Sequence, residues 1–332
     1  MDTRKVLEMG GGTVLISLPK SWARRNGIVR GSSVAVEEIS ARRLMVRPLQ
    51  EGGRTEEKEV VIEYPRESLS YLTNDITGAY LMGSRAIRIE GKRVISREDR
   101  AKLKASVTRL VGLEIVDEHA KGMTMQFLPD PAVLDPEKIV RRMASLIGGM
   151  LRDAAEGARH DRALLTLVGE RDDEVDRLYF LLVRTIRTAT IDPEVAERYG
   201  LAPIECLDYR VLASYLESLG DAIADFSKRA GAETFSKEVA SRLVQFLDML
   251  EKMGDVAVSS FLARRRVQGS RTYSEVAGMR ERVGELSKGL ISMKGTSTGV
   301  MVDLLATLER VASTFVDISD LALPTYQFSP ER

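Results

Sequence analysis

The sequence predicts a multidomain α+β protein with a small β-rich N-terminal domain, a small α/β middle domain and an all-α C-terminal half. Three observations carry this. At 332 residues the chain exceeds what one hydrophobic core usually serves. Up to Phe127, short apolar runs separated by glycine-rich and polar turns alternate with brief amphipathic stretches. Beyond Asp135-Pro136 the apolar residues recur every three to four positions, the period of helices packed on one side. The expected domains are residues 1–50, 56–130 and 134–324.

In the first domain, residues 4–8 form a short strand and Gly10-Gly11-Gly12 a tight turn. Thr13–Ser17 is a second, strongly apolar strand. Pro19 opens a helix of one to two turns over Ser21–Arg25, and Gly27 ends it with a positive-φ cap. Ser33–Glu37 and Leu44–Arg47 complete a ββαββ order in under fifty residues. A core that small is marginal alone, so intertwining with a second copy is expected. Charge sets this stretch apart. The whole chain has 49 basic and 49 acidic residues, but residues 1–50 hold nine basic against four acidic, nine minus four giving +5. The remainder is therefore −5, and an anionic partner is expected at the N-terminus.

Arg4-Lys5-Val6, Gly12–Ala23, Gly27-Ile28 and Gly31 resemble the SpoVT/AbrB family of swapped-hairpin DNA-binding domains, over residues 3–48. The resemblance implies a homodimer that exchanges hairpins and presents basic side chains to DNA. Arg4, Lys5, Lys20, Arg24, Arg25 and Arg43 are the residues it places on that surface. One departure is Gly11-Gly12, where the family often carries an arginine in the first turn.

Gly52–Glu57 is a polar linker. The middle domain then reads as a strand at Val60–Ile62 and an amphipathic helix after Pro65 with Leu69, Leu72, Ile76 and Tyr80 inward. A strand follows at Arg85–Ile89, and then a helix capped by Ser96 with Asp99 at its third position. Strands at Leu113–Val116 and Met123–Phe127 close the unit. It contains no phosphate loop and no catalytic constellation. The C-terminal half breaks near His160, Asp192-Pro193, Gly231, Gln268-Gly269 and Lys294-Gly295. Those breaks leave about six helices, the number needed for two three-helix bundles. Gly148, Gly149, Gly220 and Gly254 fall inside these helices at about 1 kcal/mol each, which close contact between helices would explain.

The candidate chemistry is acidic. Asp172 and Asp176 lie one turn apart beside the apolar stripe Val175, Leu178, Leu182 and Ile186. Glu217, Asp221 and Asp225 form a second ladder, facing away from Leu212, Leu216, Leu219 and Ile223. Like charges four apart oppose each other by roughly 0.2–0.5 kcal/mol in an isolated helix. A hard divalent or trivalent cation between the two helices turns that repulsion into attraction. The competing reading is an ordinary solvated face.

The stretches Glu170–Arg187 and Asp208–Asp225 resemble the PhoU family of phosphate-uptake regulators, with the likeness extending over roughly 136–322. That family is a tandem of three-helix bundles with paired acidic motifs that bind iron, zinc, manganese or magnesium. The resemblance places a metal on Asp172, Asp176, Glu217 and Asp221. In the second bundle the corresponding positions are Glu281, Glu285, Glu309 and Ser313, so a carboxylate is lost and the site is expected to be degraded. The resemblance also implies a phosphate ABC transporter, or its signalling protein, as partner.

Other signals set limits. Cys206 is the only cysteine, which excludes an intrachain disulfide and zinc-finger spacing. The start lacks an apolar signal core, and no apolar run is long enough to span a membrane. A cytoplasmic protein without membrane insertion is expected. Without a Glu-x-x-His a ferritin-type di-iron centre is not expected, and His119 and His160 read as surface or capping residues. The functions left are a DNA-binding, phosphate-responsive regulator and a non-DNA-binding adaptor that uses residues 1–50 only to dimerise. A carboxylate-metal phosphohydrolase ranks last, since no nucleophile–base pair is evident.

Overall fold

The computed structural model describes residues 3–9, 13–40, 43–49, 59–130, 134–263, 266–293 and 297–322. Contacts divide the chain into two compact units, Met1–Glu57 and Lys58–Arg332. The architecture is the multidomain α+β one that the sequence predicts, with helix dominating its C-terminal part.

In the first unit, β1 (Val6–Met9) and β2 (Thr13–Ile16) form an antiparallel hairpin in which Val6 faces Ile16 and Met9 faces Thr13. Helix α1 (Lys20–Arg25) ends in two hydrogen bonds, Gly27 N–H to the Arg24 carbonyl and Ile28 N–H to the Ala23 carbonyl. This is a Schellman termination, and it requires the left-handed φ of +63° that Gly27 supplies. Strands β3 (Val34–Ser40) and β4 (Arg43–Pro48) pair antiparallel. None of the described residues in this unit is buried. Neighbouring strand residues point to opposite faces, and Val6 and Leu7 are 62% and 64% exposed, so both faces of the hairpin are apolar and uncovered.

The second unit begins with a four-stranded sheet in the order β5-β6-β8-β7, from β5 (Glu59–Tyr64), β6 (Ala86–Gly91), β7 (Leu113–His119) and β8 (Gly122–Phe127). β5 and β6 are parallel and joined through α2 (Leu69–Leu81), while the other pairs are antiparallel. Alternate residues Ile62, Tyr64, Ile87, Ile89, Met123, Met125 and Phe127 are buried. Leu72, Ile76 and Tyr80 of α2 and Leu103 and Val107 of α3 (Arg97–Thr108) are buried in the same core. Ser96 caps α3 by accepting from the Asp99 N–H at 3.0 Å.

The rest is helical: α4 (Pro136–Arg159), α5 (Ala163–Ile191), α6 (Pro193–Tyr199), α7 (Pro203–Gly231), α8 (Lys237–Ala263), α9 (Arg266–Ile291) and α10 (Thr298–Asp320). Helices α4, α5 and α7 pack on one another, as do α8, α9 and α10, and the two triplets meet through α4 with α8 and α7 with α10. Asp135 caps α4 by accepting from Glu137 N–H at 2.9 Å, with Pro136 in its first turn where no N–H is needed. Two expectations change. The short α6 is an additional helix, started by Asp192-Pro193 and stopped by Gly200 at φ +60°. Helix α9 runs through Gln268-Gly269, so the break precedes them. Among the described residues no helix is long and apolar enough to cross a membrane.

Three of the four singled-out glycines have a packing reason. A Cβ on Gly149 would lie 2.9 Å from the Arg171 guanidinium, one on Gly220 2.7 Å from Asp172 Oδ1, and one on Gly254 2.9 Å from the Phe315 ring. Gly148 has no such neighbour closer than 3.6 Å. The middle domain is fastened to α5 by Arg184, which is 4% exposed. Its guanidinium donates to the Tyr80 carbonyl at 2.5 Å and the Ser84 carbonyl at 3.0 Å, and lies over the Phe127 ring at 3.7 Å. Burial without a carboxylate partner lowers its pKa to about 10.

Candidate metal centre

Helix α5 carries Asp172 and Asp176, and α7 carries Glu217, Asp221 and Asp225. The apolar stripes named from the sequence pin these helices face to face. Val175, Leu182, Leu212, Leu216, Leu219 and Ile223 are all buried. Gly220 lets α7 approach α5 closely enough for the Asp172 carboxylate to tuck against its backbone.

One carboxylate oxygen each from Asp176, Glu217 and Asp221 falls within 4.8 Å of the others. Oxygens held about 2.0–2.6 Å from one ion can be no more than about 5 Å apart, so the triad has the spacing of a single coordination sphere. Asp172 stands beside it. The residue is only half-buried, but its Oδ1 is buried and accepts no hydrogen bond. Desolvation above all, then the charges of Asp221, Asp176, Asp173 and Glu217, push the Asp172 carboxyl up to about 7. Asp176 is raised by desolvation and Asp221, with Arg109 acting against them. Glu217 is raised by desolvation, then Asp221 and Asp176. Four carboxylates therefore share a partly desolvated site with too little positive charge. An orphaned buried oxygen, a glycine cradle and an all-oxygen donor set fit a hard cation.

Asp225 does not join them. Its carboxylate binds Arg229 one turn later on α7, at 2.6 and 3.0 Å, which neutralises it within its own helix. In the second bundle the lost carboxylate has a visible counterpart. Arg280 of α9 donates through Nε to Ser313 Oγ at 3.2 Å and lies 3.8 Å from Glu309 Oε2. A guanidinium stands where the first bundle has only acids, and among the described residues no third acidic group completes a triad there.

Residues 140–230 match the family model of the PhoU domain. That span runs from the second turn of α4 to the last of α7, so it covers the helices that carry the acidic set. Among solved structures, PhoU from Pseudomonas aeruginosa matches with a TM-score of 0.45 and 18% identity, over 56% of this chain and 93% of that one. No curated protein matches. The PhoU-like bundle thus holds the triad, and Asp172 lies on its margin.

Of the basic residues expected at a DNA surface, Arg4, Lys5, Lys20, Arg24 and Arg25 are exposed. Arg43 opens β4, and its side chain lies outside the described ones. His119 is exposed at the end of β7 and His160 caps α4, both away from the triad. Two contact residues escaped sequence reasoning. Arg109 reaches Asp176 from the middle domain at 3.2 Å, across 67 positions, and no local pattern marks it. Arg184 did leave a signal, as a charge inside the apolar run Leu181–Ile186.

Proposed function

We propose that the protein is a cytoplasmic regulator of phosphate uptake rather than an enzyme. In this reading its PhoU-like bundle holds a divalent or trivalent metal ion, iron, zinc, manganese or magnesium, and its N-terminal domain binds DNA as a homodimer. The observation that carries the body of the reading is the triad of Asp176, Glu217 and Asp221 beside the unpartnered Asp172 oxygen, within the PhoU-matching stretch. A bound ion would neutralise the acidic set and tie α5 to α7, with Asp176, Glu217 and Asp221 as ligands and Asp172 beside them. Asp221 of the triad is solvent-exposed, so the site is not the closed, dry pocket that hydrolysis needs, and regulation suits it better.

For the N-terminal domain the support is the surplus of five positive charges and five exposed basic side chains. A hairpin apolar on both faces with nothing buried favours a second copy as its cover. That last observation equally favours the second reading, an adaptor that dimerises through residues 1–50 and acts on a phosphate ABC transporter or its signalling protein. Binding to the protein's own upstream DNA at two salt concentrations, with and without phosphate, separates the two.

If Arg4, Arg24 and Arg25 of two copies all touch phosphates, six contacts give a slope of log K against log salt near −5, at about 0.9 ions released per contact. Arg24→Ala with Arg25→Ala removes four contacts and flattens the slope to roughly a third. An unchanged slope in a folded, dimeric double variant leaves the adaptor reading in front.

A further inference from the structure

The middle domain touches the helical body in two ways of opposite character. Arg184 is a buried anchor, with both carbonyl acceptors and the Phe127 ring fixed around it. Arg109 is a surface contact, its side chain 62% exposed, and its partner is Asp176, a member of the acidic triad. Both contacts fall on α5. Asp176 and Arg184 are eight residues apart, about 12 Å along the helix. The middle domain is therefore held firmly where α2 and the Arg184 anchor meet α5 and loosely at Arg109, and the loose contact ends on a candidate metal ligand.

We infer that Arg109 and the metal ion compete for Asp176, so that loading the metal releases the α3–β7 end of the middle domain while the Arg184 anchor stays closed. The inference rests on the metal reading above. Arg109 approaches Asp176 Oδ2 at 3.2 Å and brings one exposed positive charge to a cluster of three carboxylates. A divalent ion meets the need better, because it engages three carboxylates at once and at shorter range. With Asp176 engaged by a divalent ion, Arg109 would lose its anion and meet like charge instead.

The local structure allows the movement. Arg109 caps α3 and is followed by a turn in which Gly112 takes a φ of +80°. A cleft of ≈ 450 Å³ lined by Lys104, Thr108, Gly112, Glu114 and Arg177 separates this end of the domain from α5. Among the described residues, Arg177 is what α5 presents to this cleft. In the second bundle the analogous guanidinium, Arg280, belongs to the bundle's own helix α9, so it has no other domain to release.

The test uses the full-length protein and Mn²⁺ as the probe. Arg109→Ala should bind Mn²⁺ roughly two- to five-fold more tightly than wild type by calorimetry, the range expected for losing one exposed competing ion pair. In wild type, Mn²⁺ should speed hydrogen exchange at Leu110, Leu113 and Leu128, whose amides bond across the Arg109–Gly112 turn. The Met82 and Ser84 amides beside the anchor should not change. Mn²⁺ bound equally by both proteins would overturn the competition and leave the metal reading standing. Tighter binding by Arg109→Ala without any exchange response in wild type would reduce Arg109 to a charge effect and overturn the release. A wild type that binds no Mn²⁺, zinc or iron by elemental analysis would remove the metal reading and the competition with it.

Discussion

The two helical bundles solve the same electrostatic problem differently. Each sets acidic residues on facing helices, α5 with α7 in the first and α9 with α10 in the second. In the second, one carboxylate position is Ser313, and Arg280 reaches it and Glu309. The charge is balanced by the polypeptide. In the first, all four positions remain acidic, Gly220 lets the helices close in, and Asp172 is left with a buried oxygen that nothing bonds. Its carboxyl rises to about 7, a sign that ionisation is resisted. A like-charged cluster held by packing implies that its counter-charge comes from outside the bundle. The difference between the bundles is that the second carries its guanidinium on its own helix, whereas the first meets one from the middle domain, Arg109, and leaves Asp172 Oδ1 unbonded.

The largest test of that contrast is metal content. Asp172→Asn with Glu217→Gln should lower affinity for transition metal by at least about a hundredfold, beyond what losing an outer-shell partner costs. Glu309→Gln should leave bound metal at the wild-type level. Equal metal in wild type and the double variant, measured by elemental analysis, would end the distinction.

Next in size is Gly220→Ala. The added methyl lies 2.7 Å from Asp172 Oδ1 and 3.3 Å from Val175 Cγ1, so the helices must part or the carboxylate must turn. A loss of about 1–3 kcal/mol is expected by urea unfolding, with weaker metal binding. Gly284→Ala on α9 of the second bundle meets only the Arg280 guanidinium at 3.7 Å. By the same measurement it should be neutral or mildly stabilising.

A smaller effect follows from pH. The Asp172 carboxyl is raised in the folded state, so it binds its proton more tightly folded than unfolded. Its contribution is present below about 4 and is lost as pH rises through about 7. Urea midpoints of chelator-treated protein should therefore fall between pH 5 and pH 8 for this reason. Asp172→Asn should remove much of that fall, and a full-sized fall in the variant would place its origin elsewhere.

The smallest expected change is in the second bundle. Arg280→Met removes a pair of which each side chain is about a third exposed, so a loss of up to about 1 kcal/mol is expected. No metal should be gained, because Ser313 still stands in place of a carboxylate. A second equivalent of metal in this variant would show that Arg280 alone keeps the second site shut.

Sequence by itself settled what depends on neighbours a few positions away. The ends of α1, α3 and α4 could be read from Gly27, Ser96 and Asp135-Pro136, because caps act within one turn. The stripes Val175–Ile186 and Leu212–Ile223 showed which faces are buried, because helical period is local. The acidic pairs four apart placed carboxylates on neighbouring faces for the same reason, and even α6 had its start and stop written in Asp192-Pro193 and Gly200. Tertiary structure decided the rest. Three acids of the ladders converge while Asp225 turns to Arg229, since convergence depends on how two helices register and not on spacing within either. The resistance of Asp172 to ionisation arises from desolvation, which exists only once α5 and α7 have closed around Gly220. Arg109 meets Asp176 across 67 positions, and Arg280 meets Ser313 across 33. The cation that answers each acidic face is set by packing between distant segments, and no local pattern in the chain encodes it.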